Sequence, residues 1–285
     1  MASMRDIKRR RDSIQSTGQI TKAMKLVSTV KLQKAKGKAE NTKPYFDLMY
    51  ETVSNILAKS GNINHKYLKA GESDKKAIIT ITANRGLAGG YNSNIVKLIT
   101  NSDIAKENAC IYSIGRKGRE LLERKGYAMK ADYSDVINEP LYTDAKEICD
   151  EVLRAFTEGE IGEIYLAYTA FKNTVVHVPQ LIKLLPIEPE EAGKTAQTDD
   201  TPMNYEPNEE EALDMIIPKY IASLVYGALI EAVASENGAR MQAMDNATSN
   251  ADDMIASLSL KFNRARQASI TQELTEIISG ANAIE

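Results

Sequence analysis

The longest regular pattern in this sequence lies in its last third, and it constrains the fold more than any other feature. Nine positions in residues 241–269 follow an unbroken alternation of three- and four-residue steps. These positions are Met241, Met244, Thr248, Ala251, Ile255, Leu258, Phe262, Ala265 and Ser269. Seven of the nine are apolar, and the positions between them are largely polar. A repeat of 3.5 residues is typical of a coiled-coil seam rather than of a helix lying on a globular core.

No proline occurs in residues 219–279, so we predict one helix that runs from about residue 209 to the C-terminus. Some 70 helical residues would span roughly 105 Å at ~1.5 Å per residue, far more than the diameter of a small domain. A helix of that length needs a partner along most of its course. On periodicity alone, a purely structural coiled coil explains this helix as well as a coiled coil with a specific function does.

A second long helix is predicted over residues 4–59, with residues 61–64 ending it. Pro44 is expected to kink or interrupt this helix. Small residues such as Gly18 and Thr21 dilute its seam and would let a partner helix approach closely. The apolar positions of the predicted seam are Ile7, Ile14, Ile20, Met24, Val27, Val30 and Leu32.

The two predicted helices carry opposite charge, although the whole chain has a net charge of only −3. Residues 1–38 hold eleven Lys and Arg against two Asp, a balance of +9. Residues 209–285 hold five Lys and Arg against twelve acids, a balance of −7. Like-charged flanks repel, so the two helices favour each other over self-pairing. We therefore predict an intramolecular antiparallel coiled coil.

Between the helices the pattern changes to short apolar strands that alternate with helices. Strands are predicted over residues 77–82, 110–114, 127–133, 164–171 and 174–185, and helices over 93–100, 119–125 and 143–158. This alternation indicates an α/β fold with a mostly parallel, Rossmann-like sheet. The last two strands are predicted to form a hairpin about residues 172–173. The predicted domains are the first helix in residues 1–60, an inserted α/β domain in 75–186, a linker in 187–208 and the last helix in 209–285.

The sequence predicts neither a transmembrane helix nor a disulfide bond. The most apolar stretch, residues 216–234, is interrupted by Pro218, Lys219 and Glu231, which argues against a transmembrane helix. The two cysteines are 39 residues apart and belong to no paired-cysteine motif, which is typical of a reducing compartment.

Two glycine-rich turns are the only candidates for a small-molecule site. Residues 86–90 follow a strand and open a helix, but they lack the G-x-G-x-x-G spacing of a dinucleotide loop. Residues 115–118 lack the full pattern of a phosphate-binding loop. The chain has only two histidines, His65 and His177, so a metal site or a histidine-based triad has few residues to use. We predict no catalytic residues, no metal and no cofactor.

Two functions are compatible with these sequence patterns. One is a nucleotide-binding α/β enzyme with a coiled-coil oligomerisation arm, which would bind ATP or NAD at equilibrium. The other is a nucleic-acid-binding coiled coil that uses the basic residues of 5–38. That segment lacks interleaved aromatic residues, since its first aromatic is Tyr45, so nucleic acid is not the predicted partner.

Five blocks resemble the gamma subunit of F-type ATP synthases. Residues 20–27 read ITKAMKLV, residues 85–92 read RGLAGGYN and residues 270–281 read ITQELTEIISGA. Residues 205–207 and 239–248 match the same family, and the blocks keep its order and spacing. The match begins by Met4, and the cysteine-bearing insertion of chloroplast forms is absent. The resemblance therefore implies a bacterial chain without a transit peptide.

The resemblance implies a rotor shaft and a set of partners. The coiled coil would be the central-stalk shaft, with its C-terminal end inside a hexamer of three alpha and three beta subunits. The α/β domain would form a foot with the epsilon subunit on the membrane c ring, at the cytoplasmic face of the bacterial membrane. The implied hexamer contacts are Met24, Lys25, Arg240, Gln267, Ile270, Thr271, Glu273, Leu274 and Ile277, and the implied foot contacts are Tyr205 and Glu206.

Overall fold

The computed structural model describes residues 4–59, 65–187 and 208–282 of the chain. Two long helices stand at its ends, α1 over Met4–Lys59 and the last helix, α5, over Glu209–Asn282. Both helices were predicted from the sequence and are confirmed. Pro44 does not interrupt α1, because the helix continues through it, whereas a kink at Pro44 stays a prediction. Proline removes one backbone donor, and its fixed φ is itself helical, so the turns on either side can continue.

In the described residues, five strands and three shorter α-helices lie between α1 and α5, in the predicted order. The strands are β1 (Lys76–Ile81), β2 (Ala109–Ile114), β3 (Ala128–Asp132), β4 (Glu163–Phe171) and β5 (His177–Leu185). The helices are α2 (Tyr91–Thr100), α3 (Arg116–Arg124) and α4 (Tyr142–Thr157).

The strands form one sheet in the order β3-β2-β1-β4-β5. The pairs β1–β2, β1–β4 and β2–β3 are parallel, whereas β4 and β5 form an antiparallel hairpin. The predicted mostly parallel sheet and its terminal hairpin are therefore confirmed. Helical crossovers cover both faces of such a sheet, which explains why its central strands are almost wholly apolar.

The two faces of the sheet have separate apolar cores. On one face, Ile79 and Ile81 pack in a core that also contains Ile148 of α4 and Ile221 of α5. On the other face, Ile78 belongs to a core with α2 and α3 residues. Alternate residues of a strand point to opposite faces, so neighbouring isoleucines in β1 serve different cores.

Two compact units divide the chain, one made of residues 1–28 and 241–285 and the other of residues 29–240. By length and composition α5 would qualify as a membrane-spanning helix. Half of its most apolar 18-residue window is buried inside the chain, a property it shares with core helices of soluble proteins. Burial against the sheet is therefore a sufficient reason for its apolar composition.

Candidate functional site: partner-binding surfaces of the long helices

The unit made of residues 1–28 and 241–285 is an antiparallel helix pair. Arg11 of α1 lies over the ring of Phe262, with its guanidinium carbon 5.7 Å from the ring centroid. Further along α1, the hydroxyls of Thr21 and Thr248 share a hydrogen bond of 2.8 Å. Rising numbers on α1 thus meet falling numbers on α5. Each of the nine predicted seam positions on α5 is buried or half-buried, which confirms the seam.

The inner face of α1 differs from the prediction. Ile20 is 61% exposed and Val27 is 57% exposed, so both point away from the seam. Gly18, Thr21 and Ser28 are buried in their place. A Cβ at Gly18 would lie only 3.3 Å from the Cβ of Ala251, so the small residues permit close helix approach. The seam continues the three- and four-residue steps from Ile7, Arg11 and Ile14.

Several large apolar side chains of α1 are consequently exposed, and the sequence analysis placed some of them inside. These residues are Ile20, Leu26, Val27 and Val30, and their side chains are 57–66% exposed. The signal that could have found them is spacing. Positions on the 3.5-residue repeat are buried or half-buried whether large or small, and the four exposed apolar residues lie off the repeat.

Burial along α5 stops at Ser269. Every described side chain in residues 270–282 is exposed. Large apolar residues continue there, with Ile270 50%, Leu274 54% and Ile277 68% exposed. We call residues 270–282 the tip. The predicted contact residues Thr271 and Glu273 belong to the tip, whereas Gln267 is an exposed residue just before it.

The predicted basic contact residues are engaged within the chain. Lys25 Nζ lies 2.6 Å from Asp245 Oδ1, with about a third of the lysine side chain exposed. Arg240 pairs with Glu236 at 2.7 Å and donates to the carbonyl of Gly86 at 3.4 Å. Met24 is half-buried. Tyr205 and Glu206 lie outside the described residues.

The first glycine-rich turn, residues 86–90, is a docking point for α5. Just after it, the Tyr91 hydroxyl donates to the carbonyl of Ala232 at 3.2 Å. Ala88 and Tyr91 pack with Ala239 in a small apolar cluster. Burial raises the pKa of the Tyr91 hydroxyl well above its ordinary value. One side of the turn is thus occupied by helix α5.

The second glycine-rich turn is filled by the chain itself. The backbone N–H of Arg116 donates to Asn84, that of Lys117 to the Ala83 carbonyl, and that of Gly118 to the Thr82 hydroxyl. Gly115 has φ +104°, and a Cβ there would lie 2.0 Å from the Thr82 carbonyl oxygen. The first amides of α3, which could otherwise bind a phosphate, already have partners.

The described residues also contain no cluster of three or more His, Cys, Asp or Glu that could hold a metal ion. Upward pKa shifts are found on buried groups that pack in the core. Burial raises the pKa of Tyr112 to about 12 and also raises the pKa of the Cys149 thiol. Neither shift prepares a group for acid–base chemistry near neutral pH.

Comparison with known proteins decides between the open alternatives. A family model described as ATP synthase matches residues 3–284. An ATP synthase gamma chain of Lachnoclostridium phytofermentans is 70% identical over 290 residues, which cover 100% of both chains. The chain belongs to the ATP synthase gamma-chain family.

Solved structures agree with this assignment at the level of the fold. A chain in the mitochondrial ATP synthase of Euglena gracilis, in a structure with OSCP, F1 and c-ring, superposes with a TM-score of 0.71. It is 18% identical, with 99% of this chain and 94% of that chain covered. A chain from the central stalk and c-ring of the Tetrahymena thermophila enzyme gives 0.57 at 26% identity, with 80% and 99% covered.

The contacts of the two glycine-rich turns within the chain account for both turns without a nucleotide. In this chain, the first turn supports α5 and the second closes on the residues that follow β1. The nucleotide-binding enzyme is therefore not favoured.

Proposed function

We propose that this chain is the rotor shaft of an ATP synthase central stalk. It is a non-catalytic subunit that couples ion-driven rotation of a c ring to ATP synthesis or hydrolysis in a hexamer of three alpha and three beta subunits. The observation that carries this proposal is the change at Ser269. The intramolecular seam ends there, yet large exposed apolar residues continue to the end of the helix.

The apolar residues of the tip do not continue the seam. The seam spacing would place its next members near Gln272 and Glu276, which are polar and exposed. Ile270 and Ile277 each follow a seam position by one residue and Leu274 follows one by two, so their stripe is rotated by roughly 100° or more around the helix. The tip thus presents a new face, suited to a partner other than α1. An apolar sleeve formed by the alpha and beta subunits would cover it.

A shaft acts by differential contact. It can drive a beta subunit between open and closed states only by the difference in its contact free energy with the two states. An asymmetric helix pair supplies different contacts in different directions, so rotation presents each beta subunit with a different surface. No catalytic side chain is needed on the shaft.

The basic contact residues would act by exchanging partners. Met24, Lys25 and Arg240 would face an acidic loop of a beta subunit, and Gln267, Thr271 and Glu273 would form an upper contact with alpha and beta. Lys25 now pairs with Asp245 at the surface, and such exposed pairs contribute about 0–1 kcal/mol. A partner carboxylate could therefore replace Asp245 at little cost. The same replacement at Arg240 would have to displace Glu236.

The α/β domain, residues 75–186, would form the foot with the epsilon subunit on the c ring. Tyr205 and Glu206 would lie near this contact. Membrane association is then indirect, through the c ring at the cytoplasmic face of a bacterial membrane. The proposal includes no nucleic acid and no cofactor.

Co-expression with alpha and beta subunits tests the proposal. We expect a complex that contains one copy of this chain and that hydrolyses ATP. The informative variant replaces Ile270, Leu274 and Ile277 together by Ser, and the matched control is Val175→Ser, an equally exposed residue in the hairpin turn. Burial of three large apolar side chains predicts a loss of at least about tenfold in affinity for the hexamer. Failure to isolate any complex with the wild-type chain would sink the proposal.

Equilibrium binding of ATP to the isolated chain distinguishes the rotor from the alternative function, a nucleotide-binding α/β enzyme. The rotor proposal predicts no binding at micromolar concentration. Saturable binding that is lost on substitution in residues 86–90 would support the enzyme instead.

A further inference from the structure

The ring of one histidine packs against helix α5 at a glycine, where a side chain would meet the ring. His177, the first residue of β5, faces Gly238 of α5, and both belong to the unit of residues 29–240. A Cβ at Gly238 would lie 2.5 Å from His177 Nε2 and 3.2 Å from its Cε1. Glycine is unfavourable within a helix, and its presence here has a packing reason. The ring of His177 occupies the space of the missing side chain.

The imidazole of His177 occupies this position although its Nε2 atom, which faces Gly238, makes no hydrogen bond to the described residues. His177 Nε2 is buried and has no hydrogen-bond partner in the described part of the chain. The ring also contacts Phe171, with the two ring centroids 6.0 Å apart. Burial alone lowers the pKa of His177, so the neutral ring is the form that fits this site.

The two acidic residues of α5 that most closely precede Gly238 in the sequence are already engaged. On α5, Glu231 accepts from the backbone N–H of Phe171 at 3.3 Å, and Glu236 is paired with Arg240. The hairpin turn next to His177 contributes one charged residue, Lys172, which is exposed. Neither Glu236 nor Glu231 would be released without breaking another contact.

We propose that His177 makes the contact between the β4–β5 hairpin and helix α5 acid-sensitive, because its neutral ring packs against Gly238 and its protonated ring leaves this site for water. This inference goes beyond the proposed rotor function. It concerns the connection of the hairpin to the long helix, and it holds whether or not the chain joins an ATP synthase.

The direction of the pH effect follows from linkage. In the open state the ring is in water and has an ordinary pKa of about 6.5, whereas in the closed state its pKa is lower. The closed contact is therefore fully stable above about pH 6.5 and weakens as the pH falls towards the lowered value. Within that window the population of the open state rises by up to about tenfold per pH unit.

Hydrogen exchange on the full-length chain measures this opening. Amides of residues 171–178 and of 231–240 are followed between pH 7.5 and pH 5.0, with rates corrected for the intrinsic effect of pH. We expect their protection to fall with pH by more than threefold in the wild-type chain. In His177→Gln, whose side chain is uncharged at every pH used, this fall should be absent. His65→Gln is the matched control and should behave as the wild type.

Histidine NMR supplies a second readout that needs no variant at position 177. The chain has only two histidines, so His65→Gln leaves one ring signal, that of His177. We expect this signal to titrate below the ordinary histidine range. A midpoint at or above pH 6.5, or an equal loss of protection in His177→Gln, would overturn the inference. Neither measurement requires alpha or beta subunits, so failure of the rotor proposal would be seen separately.

Discussion

The first and last parts of α5 carry similar apolar residues and use them differently. In residues 209–240, Ile217, Val225 and Leu229 are fully buried against the sheet or its neighbouring helices. In the tip, Ile270, Leu274 and Ile277 are at least half exposed. The first set accounts for stability within the chain. The second set has no such role among the described residues, so its free energy is available for binding a partner.

The largest expected effect contrasts one leucine from each part. Leu229→Ala should lower the free energy of unfolding by about 2–5 kcal/mol, because it leaves a cavity in a packed core. Leu274→Ala should change it by less than about 0.5 kcal/mol, because the side chain is exposed. Urea unfolding of the full chain, followed by tyrosine fluorescence since no tryptophan is present, measures both. Similar losses in the two variants would break the contrast between the core and the tip.

A slightly smaller effect is expected at Gly115, the residue between β2 and α3. Gly115→Ala should destabilise the chain by about 2–4 kcal/mol, because a side chain at its positive φ is strained and would meet the Thr82 carbonyl. Gly37→Ala is the matched control, since a Cβ there has no atom within 4 Å. That helical position should gain up to about 1 kcal/mol. Thermal unfolding of the two variants should therefore shift in opposite directions.

The seam of α1 is tested by a third pair of variants. Gly18→Leu should cost about 1–3 kcal/mol, since the larger side chain must push α1 away from Ala251. Ile20→Ala, two residues away, should cost less than about 0.5 kcal/mol because Ile20 is exposed. If helix pairing, measured by circular dichroism during unfolding, depends more on Ile20 than on Gly18, the seam assigned to α1 is incorrect.

This pair also shows what sequence patterns can and cannot establish. On α5 the seam is mostly apolar, so hydrophobicity and spacing agree and both predict the buried face. On α1 they disagree, because buried Gly18 and Ser28 are small while exposed Ile20 and Val27 are large. Spacing was the better guide. Hydrophobicity alone misplaces a helix whose partner approaches closely through small residues.

The sequences of the glycine-rich turns did not distinguish a phosphate-binding turn from a structural one, for a different reason. A turn between a strand and a helix has the same local sequence whether it holds a phosphate or supports another helix. What separates the two functions here is Tyr91 contacting Ala232 and Arg240 contacting Gly86, pairs more than 140 residues apart. The strands and helices themselves follow from local apolar patterns, so the fold was largely predictable. The long-range use of its turns was not.

The smallest expected effect concerns the ion pair of Lys25 and Asp245. Both side chains are more than a third exposed, so Lys25→Ala should lower the free energy of unfolding by about 0–1 kcal/mol at low salt. The loss should shrink further in ~1 M salt, where screening acts over ~3 Å. A double-mutant cycle with Asp245→Asn isolates the pair from other contacts of Lys25. A coupling above about 2 kcal/mol would mean that the pair is a fixed part of the seam. It would then be too costly to exchange for a carboxylate of a beta subunit, and Lys25 would be removed from the proposed partner contacts.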